Sequence, residues 1–453
     1  MTRSPLSPRL DAPSTARSMR LAVVEGCLFA LMVGVAETYV IADAVALRAS
    51  PYQLALLIAL PLLLGGVGPA LVLGRLRRGW HRRPIAATCA VGQALALAAM
   101  CLGNLTGTLS IAGLIGLFCA YHACGQGGGT AWSSWYGDLV PVERRGRYFA
   151  NRSRLIHLAT FLALVAGGFV LQGLEPTRAG LGFACVFGAG AACRLASATL
   201  LALSPEPALG GLAPAGTLKT YFATARGRTG LLLLGGSALF QLSTYLASPF
   251  FAPHMLRNLE LGYLGYMAAT GAQAALKFLA MPLWGRLVDS HPRRAFSLAA
   301  GLAAIVPLPW LWIDGLHGVL WAQALSGVAW GGYEVALFAL MLHSTRRSTR
   351  PHLFAAQTFG NALGQCGGSL AGAEILAGSS YPAIFALSAV ARLAVAGVIA
   401  MRLGNLPLTT RRVAMALRVV GYRPGAGVVH RPIEPPSTGA DHTADVEVRE
   451  PRR

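Results

Sequence analysis

Roughly a dozen apolar stretches run through this sequence, separated by short polar breaks. Each stretch is about 20 residues long, which is the length that a helix needs to cross the hydrocarbon core of a bilayer. Only 12% of the residues are charged and 54% are hydrophobic, a composition that excludes a pair of soluble domains. We therefore predict an all-α membrane protein. Its spans are expected near 21–43, 52–74, 84–104, 109–136, 153–173, 180–203, 230–253, 262–285, 295–313, 317–342, 352–376 and 380–403.

Arginine alternates from break to break. The breaks at 75–83, 138–154, 204–229, 286–294 and 343–351 are rich in arginine, whereas the intervening ones carry only Arg48, Arg178 and Arg257. The positive-inside rule assigns the rich breaks to the cytoplasm, so both termini are expected inside. We interpret the net charge of +20 as orientation in the bilayer, and we expect no nucleic-acid partner. The first apolar run is too long for a signal peptide and should remain as a span.

The sequence also repeats itself. Four residues of the stretch 69–83 recur 211 positions later, since Gly74, Leu76, Arg82 and Arg83 match Gly285, Leu287, Arg293 and Arg294. The stretch 138–150 aligns with 343–355 at an offset of 205, which pairs Arg145 with Arg350 and Phe149 with Phe354, and Arg194 matches Arg392. Such repetition predicts two related halves. The expected organisation is a disordered cytoplasmic tail (1–20), a first six-helix bundle (21–203), a cytoplasmic linker (204–229), a second bundle (230–403) and a mostly disordered cytoplasmic tail (404–453).

The pattern from Gly285 through Leu287 and Asp289 to Arg293 and Arg294 resembles the loop signature of the major facilitator superfamily, found between spans 2 and 3 and again between spans 8 and 9. We expect the apolar helix to end at Gly285 and a turn to follow. The first copy departs from the signature, because Arg78 occupies the place of the acid. The stretch Trp132–Arg152 is similar to one that bacterial members carry between spans 4 and 5.

This resemblance implies twelve transmembrane helices in two pseudo-symmetric six-helix bundles, working as a secondary transporter in a bacterial inner membrane. It also implies that Asp289 acts as a conformational latch, reaching the start of span 5 near Arg152 or Arg154, where the helix dipole favours an acid. The alternative is an ordinary loop acid. Asp138 is expected to pair with Arg78 or Arg82 inside the first half.

In the family, spans 1, 4, 7 and 10 line the central cavity. An ionisable residue at membrane depth is costly and is a functional candidate. Glu37 in span 1 and Glu334 in span 10, which follows Tyr333, are therefore predicted to bind a proton or the substrate. For Glu37 the alternative is a carboxylate that reaches the outer headgroups, and for Glu334 it is a structural ion pair with Lys277. Glu25 is expected to snorkel.

Polar residues spaced four apart share one face of a helix. His122, Gln126 and Thr130 form such a row on span 4, Gln357, Asn361 and Gln365 form one on span 11, and Gln241 lies on span 7. These rows either bind a solute in a wet cavity or join helices. Arg194 and Arg392 are interpreted as snorkelling groups or ties between helices.

No catalytic, cofactor or ATP-binding motif is found, and none of the eight cysteines lies at metal-ligand spacing. We therefore predict a monomeric carrier, not an enzyme, that needs no cofactor or metal. It would move a small neutral or cationic organic molecule with protons as the coupling ion. A solute receptor or scaffold with a transporter fold is the alternative.

Overall fold

The computed structural model describes residues 12–65, 67–139, 145–174, 178, 180–206, 225–344 and 350–404. Throughout these residues the regular secondary structure is helical and no strand occurs, which confirms the all-α prediction. Residues 1–11, 207–224 and 405–453 lie outside the described part, and with them most of the predicted tails and linker. The first helix already begins at Ala12, well before the predicted boundary at residue 21.

We number the long helices α1 to α12 in chain order. They are α1 (Ala12–Val35, followed by Glu37–Tyr39 and Val40–Ala46), α2 (Pro51–Gly65, followed by Val67–Arg77), α3 (Arg82–Thr106), α4 (Ile111–Leu139), α5 (Arg145–Leu174), α6 (Leu181–Leu203), α7 (Ala225–Tyr245, followed by Ser248–Phe250, Phe251–Pro253 and His254–Asn258), α8 (Gly262–Ser290), α9 (Pro292–Ile305, followed by Pro309–Leu311), α10 (Leu316–Ser344), α11 (Arg350–Ala377) and α12 (Tyr381–Gly404).

Nine helices of the described part are long and apolar enough to cross a membrane. They comprise all of these except α4, α8 and α11, which reach 28 or 29 residues but are more polar. Some of those polar residues belong to the rows predicted on spans 4 and 11. The protein is thus a multi-pass membrane protein.

The helices form two bundles, α1–α6 and α7–α12. In the first, α1 packs on α5 and α6, and α3 packs on α4 and α6. In the second, α8 packs on α10, while α7 packs on α11 and α12. The approach of α7 to α11 requires glycine, because a Cβ built on Gly364 would lie 2.2 Å from the carbonyl oxygen of Ala238. The bundles meet where α2 packs on α11 and α5 packs on α8.

The α5/α8 contact is antiparallel and keeps one register along its length. His157 lies against Phe278, Leu164 against Gly271, and Gly168 against Met267. In each pair the two residue numbers add up to 435. We call this contact the α5/α8 seam.

Buried apolar side chains form three core clusters. Two lie toward the end of the bundles that carries the arginine-rich breaks, which we call the basic end, and each is built within a single half. The third lies toward the opposite end and draws on both halves, from Met32 to Phe187 and from Ala247 to Phe385. Among the described residues, the two halves therefore share a hydrophobic core at the opposite end, whereas the two cores toward the basic end each belong to one half.

The prediction that a helix ends at Gly285 is wrong. Helix α8 continues to Ser290, so Asp289 lies in its last turn. Glycine inside a helix costs only about 1 kcal/mol, and the His291 backbone N–H still donates to the Leu287 carbonyl at 2.7 Å. The helix ends where His291 leaves helical geometry, because the following Pro292 disfavours helical angles at the residue before it.

Candidate functional site

The opposite end of the molecule is closed by aromatic side chains from both halves. The rings of Tyr39 and Tyr266 lie 6.1 Å apart, and the Tyr266 hydroxyl donates to the Thr38 carbonyl at 3.3 Å. The Tyr39 hydroxyl donates to the Leu164 carbonyl inside the first half, which fixes its ring. These buried side chains leave the first half and the second half in direct contact.

A charged side chain adds to this closure. Arg257, in the turn after α7, donates to the carbonyl of Ala49 at 3.0 Å and to that of Val45 at 2.9 Å. Both carbonyls belong to the first half. The remaining hydrogen bonds and ring contacts described between the halves also lie at this end or along the α5/α8 seam.

Glu37 lies where α1 breaks into a short 3-10 turn, and its side chain is buried. The Tyr121 hydroxyl of α4 donates to its Oε2 atom at 2.6 Å. Tyr121 also lies 3.6 Å from the Met32 sulfur. The predicted carboxylate therefore points into the first bundle and not toward the headgroups, with a partner that sequence reasoning missed.

The three residues of the predicted polar row on α4 have different surroundings. His122 is buried between the rings of Phe118 and Tyr121, at 4.5 Å and 5.6 Å. Gln126 is half-buried, and its Cγ lies beside Gly65 of α2. The Thr130 hydroxyl donates to the Gln126 carbonyl at 2.9 Å. Thr130 is thus satisfied within its own helix, and His122 lies beside the Glu37 partner.

Glu334 forms the predicted alternative, an ion pair. The Lys277 Nζ atom of α8 donates to its Oε1 atom at 2.7 Å, and both side chains are buried. The neighbouring Tyr333 stacks on Phe240 of α7 at 4.7 Å. Within the described residues, the Glu334 Oε2 atom and the Tyr333 hydroxyl have no hydrogen-bond partner. One carboxylate oxygen of Glu334 and the neighbouring Tyr333 hydroxyl are thus left without a protein partner in the described part of the molecule.

Other polar groups of the second half are similarly unsatisfied. Gln241 and Asn361 are half-buried, while Gln357 and Gln365 are buried. Among the described residues no partner is found for Gln241 Oε1, Gln357 Nε2 or Asn361 Oδ1. Glu37 and Tyr121 both belong to the first half, and Lys277 and Glu334 both belong to the second, so each half carries its own polar cluster.

Sequence reasoning missed a buried charge network in the first half. Glu25 lies 3.4 Å from Arg152 and 3.6 Å from Arg194. Arg194 also donates to Gln93 at 2.9 Å and to Ser197 at 2.7 Å. The expectation that Glu25 snorkels is wrong, because its carboxylate is needed to neutralise two arginines at membrane depth. Asking which acid compensates the charge of Arg194 would have identified Glu25 from the sequence.

The matching arginine of the second half has no such acid. Arg392 is buried and donates to the Ser388 hydroxyl at 3.0 Å, the Ala303 carbonyl at 3.1 Å and the Thr244 carbonyl at 3.0 Å. No carboxylate of the described residues forms an ion pair with it. Both arginines tie helices together, and only Arg194 does so as part of an ion pair.

Asp43 is a further buried acid that sequence reasoning missed. The Asn104 amide donates to the Asp43 Oδ2 atom at 3.1 Å, and both side chains are buried near the opposite end. The depth argument that selected Glu37 applies equally to Asp43 and would have found it. The pair joins the end of α3 to the segment Val40–Ala46.

Among the described residues, no hydrogen bond or ion pair joins Asp289 to Arg152. Asp289 is exposed, Gly285 is half-buried and Arg293 is half-buried, while Arg294 is exposed. Arg152, the predicted partner of Asp289, instead binds Glu25. The latch therefore stays a prediction.

The first-half counterpart of the latch uses a different acid. Glu206 accepts the backbone N–H groups of Arg82 and Arg83 at 2.8 Å and 3.0 Å, and the Arg82 Nε atom at 3.1 Å. A carboxylate at a helix N-terminus satisfies free amides and complements the dipole. Glu206 thereby anchors the end of α6 to the start of α3. The Asp138 side chain lies outside the described residues.

Comparisons with known proteins agree with this architecture. Residues 233–418 match the sequence profile of the Major Facilitator Superfamily, whereas the sequence matches none of the curated proteins. A bacterial homologue of the human lysosomal transporter Spinster, inward-facing and occupied, has 16% identity and a TM-score of 0.66 over 88% of this chain and 98% of its own. The inward-open xylose transporter XylE from E. coli has 16% identity and a TM-score of 0.63 over 89% and 99%. The nucleoside transporter NupG has 10% identity and a TM-score of 0.61 over 87% and 100%. At these identities the likeness shows a shared fold.

Proposed function

We propose, from the match of residues 233–418 to the Major Facilitator Superfamily profile and from the shared fold, that this chain moves a small organic solute across a membrane by alternating access, coupled to protons. Alternating access requires two states in which a central site opens to one side at a time. The observation that carries the proposal is the one-sided closure of the molecule. The halves share a core at the opposite end and keep separate cores toward the basic end.

The orientation follows from charge. The arginine-rich breaks all lie at the basic end, which the positive-inside rule assigns to the cytoplasm. The state described here would then be open inward, as are the structures of the Spinster homologue and of XylE. In a bacterial inner membrane both termini would be cytoplasmic. Opening the other way would break the Tyr39–Tyr266 contact and the Arg257 hydrogen bonds.

Protons are proposed as the coupling ion because each half holds a buried carboxylate on a helix expected to line the cavity, and each has a specific partner, Glu37 with Tyr121 and Glu334 with Lys277. A buried carboxylate can take up a proton when its environment changes between states. Movement of α8 against α10, or of α1 against α4, would alter these partners. Two such groups, one in each half, can link proton binding to the change of state.

The proposed class of solute follows from the polar atoms that have no partner in the protein. Arg152, Arg194 and Arg392 are all engaged by protein groups. The unsatisfied groups of the second half are amide, hydroxyl and carboxylate atoms. These atoms suit a neutral or cationic organic molecule with hydrogen-bonding groups better than a multiply anionic one.

Thermal stabilisation of the purified protein tests the solute class, and proteoliposome flux tests transport. A panel of neutral, cationic and anionic organic solutes is screened first, because a ligand that binds the folded state raises its stability. The stabilising solutes then enter a flux assay driven by an imposed pH gradient. We expect gradient-driven flux in the wild type and its loss in Glu37→Gln. Binding without flux under any gradient would instead support a non-transporting receptor.

A further inference from the structure

His254 occupies an unusual place at the opposite end of the second half. Its side chain is only 9% exposed and is surrounded by aromatic rings. The ring of Tyr381 lies 4.9 Å away, that of Phe385 5.4 Å and that of Trp310 6.2 Å. Among the described residues neither imidazole nitrogen has a hydrogen-bond partner. A buried imidazole normally satisfies at least one of them, so this ring is held by packing alone.

The backbone around His254 is also unusual. Residues His254–Asn258 form a single π-helical turn, a rare feature that concentrates at functional sites. Arg257 belongs to this same turn and reaches the carbonyls of Val45 and Ala49 in the first half. Any shift of His254 therefore moves the arginine that closes the opposite end.

We infer that His254 is a proton-binding site of the gate at the opposite end, and that its neutral form belongs to the closed state. An imidazolium needs two hydrogen-bond acceptors, and its present surroundings offer aromatic rings. Burying that charge without acceptors is costly, and cation–π contact with the rings returns only part of the cost. A protonated His254 would leave the cage, displace the π-helical turn and release the Arg257 hydrogen bonds.

Other ionisable groups of the surrounding elements do not supply an acceptor. No hydrogen bond or ion pair joins any of them to His254. These groups are Arg257 and Glu260 on its own turn and the chain that follows, Tyr263 and Tyr266 on α8, Tyr381 on α12, Asp43 in the segment Val40–Ala46, and Asp314 in the loop before α10. The nearest in space by ring contact is Tyr381. The charge at this gate therefore changes with the protonation of His254 itself.

This inference rests on the proposed alternating access and assigns one of its protons. In the open state the imidazole would meet water, where histidine titrates near pH 6.5. If the closed state excludes the proton, linkage makes the ratio of open to closed molecules rise about tenfold between pH 7.5 and pH 5.5. The proton would enter from the side toward which the gate opens.

Electron–electron distance measurements between two spin labels test the inference in the full-length protein. The eight native cysteines are replaced by serine, and labels are placed at Tyr52→Cys and Trp312→Cys, which are 53% and 77% exposed and lie on different halves at the opposite end. We expect a longer-distance population that grows about tenfold relative to the short one between pH 7.5 and pH 5.5. His254→Phe, which fills the cage with a neutral ring, should abolish this growth.

Two further variants complete the experiment. His254→Gln removes the titratable group by a different side chain and should also abolish the response, which guards against a packing effect of phenylalanine. His317→Phe removes an exposed histidine at the same end and should keep the response. A wild type with no pH response, or a His254→Phe protein that responds like the wild type, overturns the inference. Solute flux in the same preparations is read separately, so gradient-driven flux with a pH-independent gate would refute only the role of His254.

Discussion

The buried ion pair between Lys277 and Glu334 allows a test whose size follows from its geometry. At 2.7 Å, two unit charges attract by about 6 kcal/mol at an effective dielectric constant of about 20. Much of this is offset by the loss of hydration when both groups are buried. Removing one partner leaves the other charge buried without compensation, which costs roughly 3–5 kcal/mol.

The expected result is a strong non-additivity. Lys277→Met or Glu334→Leu alone should lower the apparent melting temperature in detergent by on the order of 10 °C, since about 1 kcal/mol shifts a bundle of this size by roughly 2–4 °C. The double variant Lys277→Met/Glu334→Leu replaces the pair by apolar groups of similar volume. Such replacements are often neutral or stabilising, so the double variant should regain most of the loss.

The measurement is thermal unfolding at one fixed scan rate, because the melting temperature of an irreversibly unfolding membrane protein depends on that rate. Gln273→Met is the matched control, since it removes a neutral hydrogen bond of 2.9 Å to Ser326 between the same two helices. It should cost about 1 kcal/mol. A double variant whose loss equals the sum of the two single losses would refute the reasoning, because it would show no coupling between the charges.

Three other variants test the gate, the helix anchor and the helix packing. Arg257→Gln loses the charged donor to two carbonyls of the first half and should raise the open fraction at the opposite end about tenfold, measured as spin-label distances; an unchanged distribution would contradict the closure role. Glu206→Ala uncaps α3 and should lower stability by about 2 kcal/mol in thermal unfolding, and a loss below about 0.5 kcal/mol would argue against the anchor. Gly364→Ala would place a Cβ 2.2 Å from the Ala238 carbonyl oxygen, whereas at Gly367 the nearest atom lies at 3.9 Å; the first variant should be strongly destabilised and Gly367→Ala should not.

Much of the fold could be predicted from the sequence because the membrane simplifies the problem. The length of an apolar stretch identifies a span, and the alternation of arginine-rich and arginine-poor breaks assigns each break to one side of the membrane. The end of α8 was misjudged, since Gly285 was read as a helix end when hydrogen bonding carries the helix on to Ser290. The start of α1 was placed too late, because polar residues near a terminus resemble a tail even when they continue a helix.

The candidate site was only half predictable. Depth in a span selects Glu37 and Glu334 as candidates, and the sequence offers the ion pair with Lys277 only as the alternative for Glu334; the structure contains that pair. The Tyr121 partner of Glu37 could not be found in the same way, because it depends on the distance between α1 and α4. Likewise, nothing in the local sequence shows that Arg152 binds Glu25, since α1 and α5 must pack before those charges meet.

The core shared by both halves has a consequence for how the protein is made. The first six helices enter the membrane before the last six are synthesised, and at that moment their part of this core, including Tyr39 and Phe187, has nothing to pack against. The cores toward the basic end can already form within each half. The shared core can therefore assemble only after the second half has been made. A nascent or truncated chain that lacks this core exposes an apolar surface, by which cellular quality control can recognise the chain as unfinished.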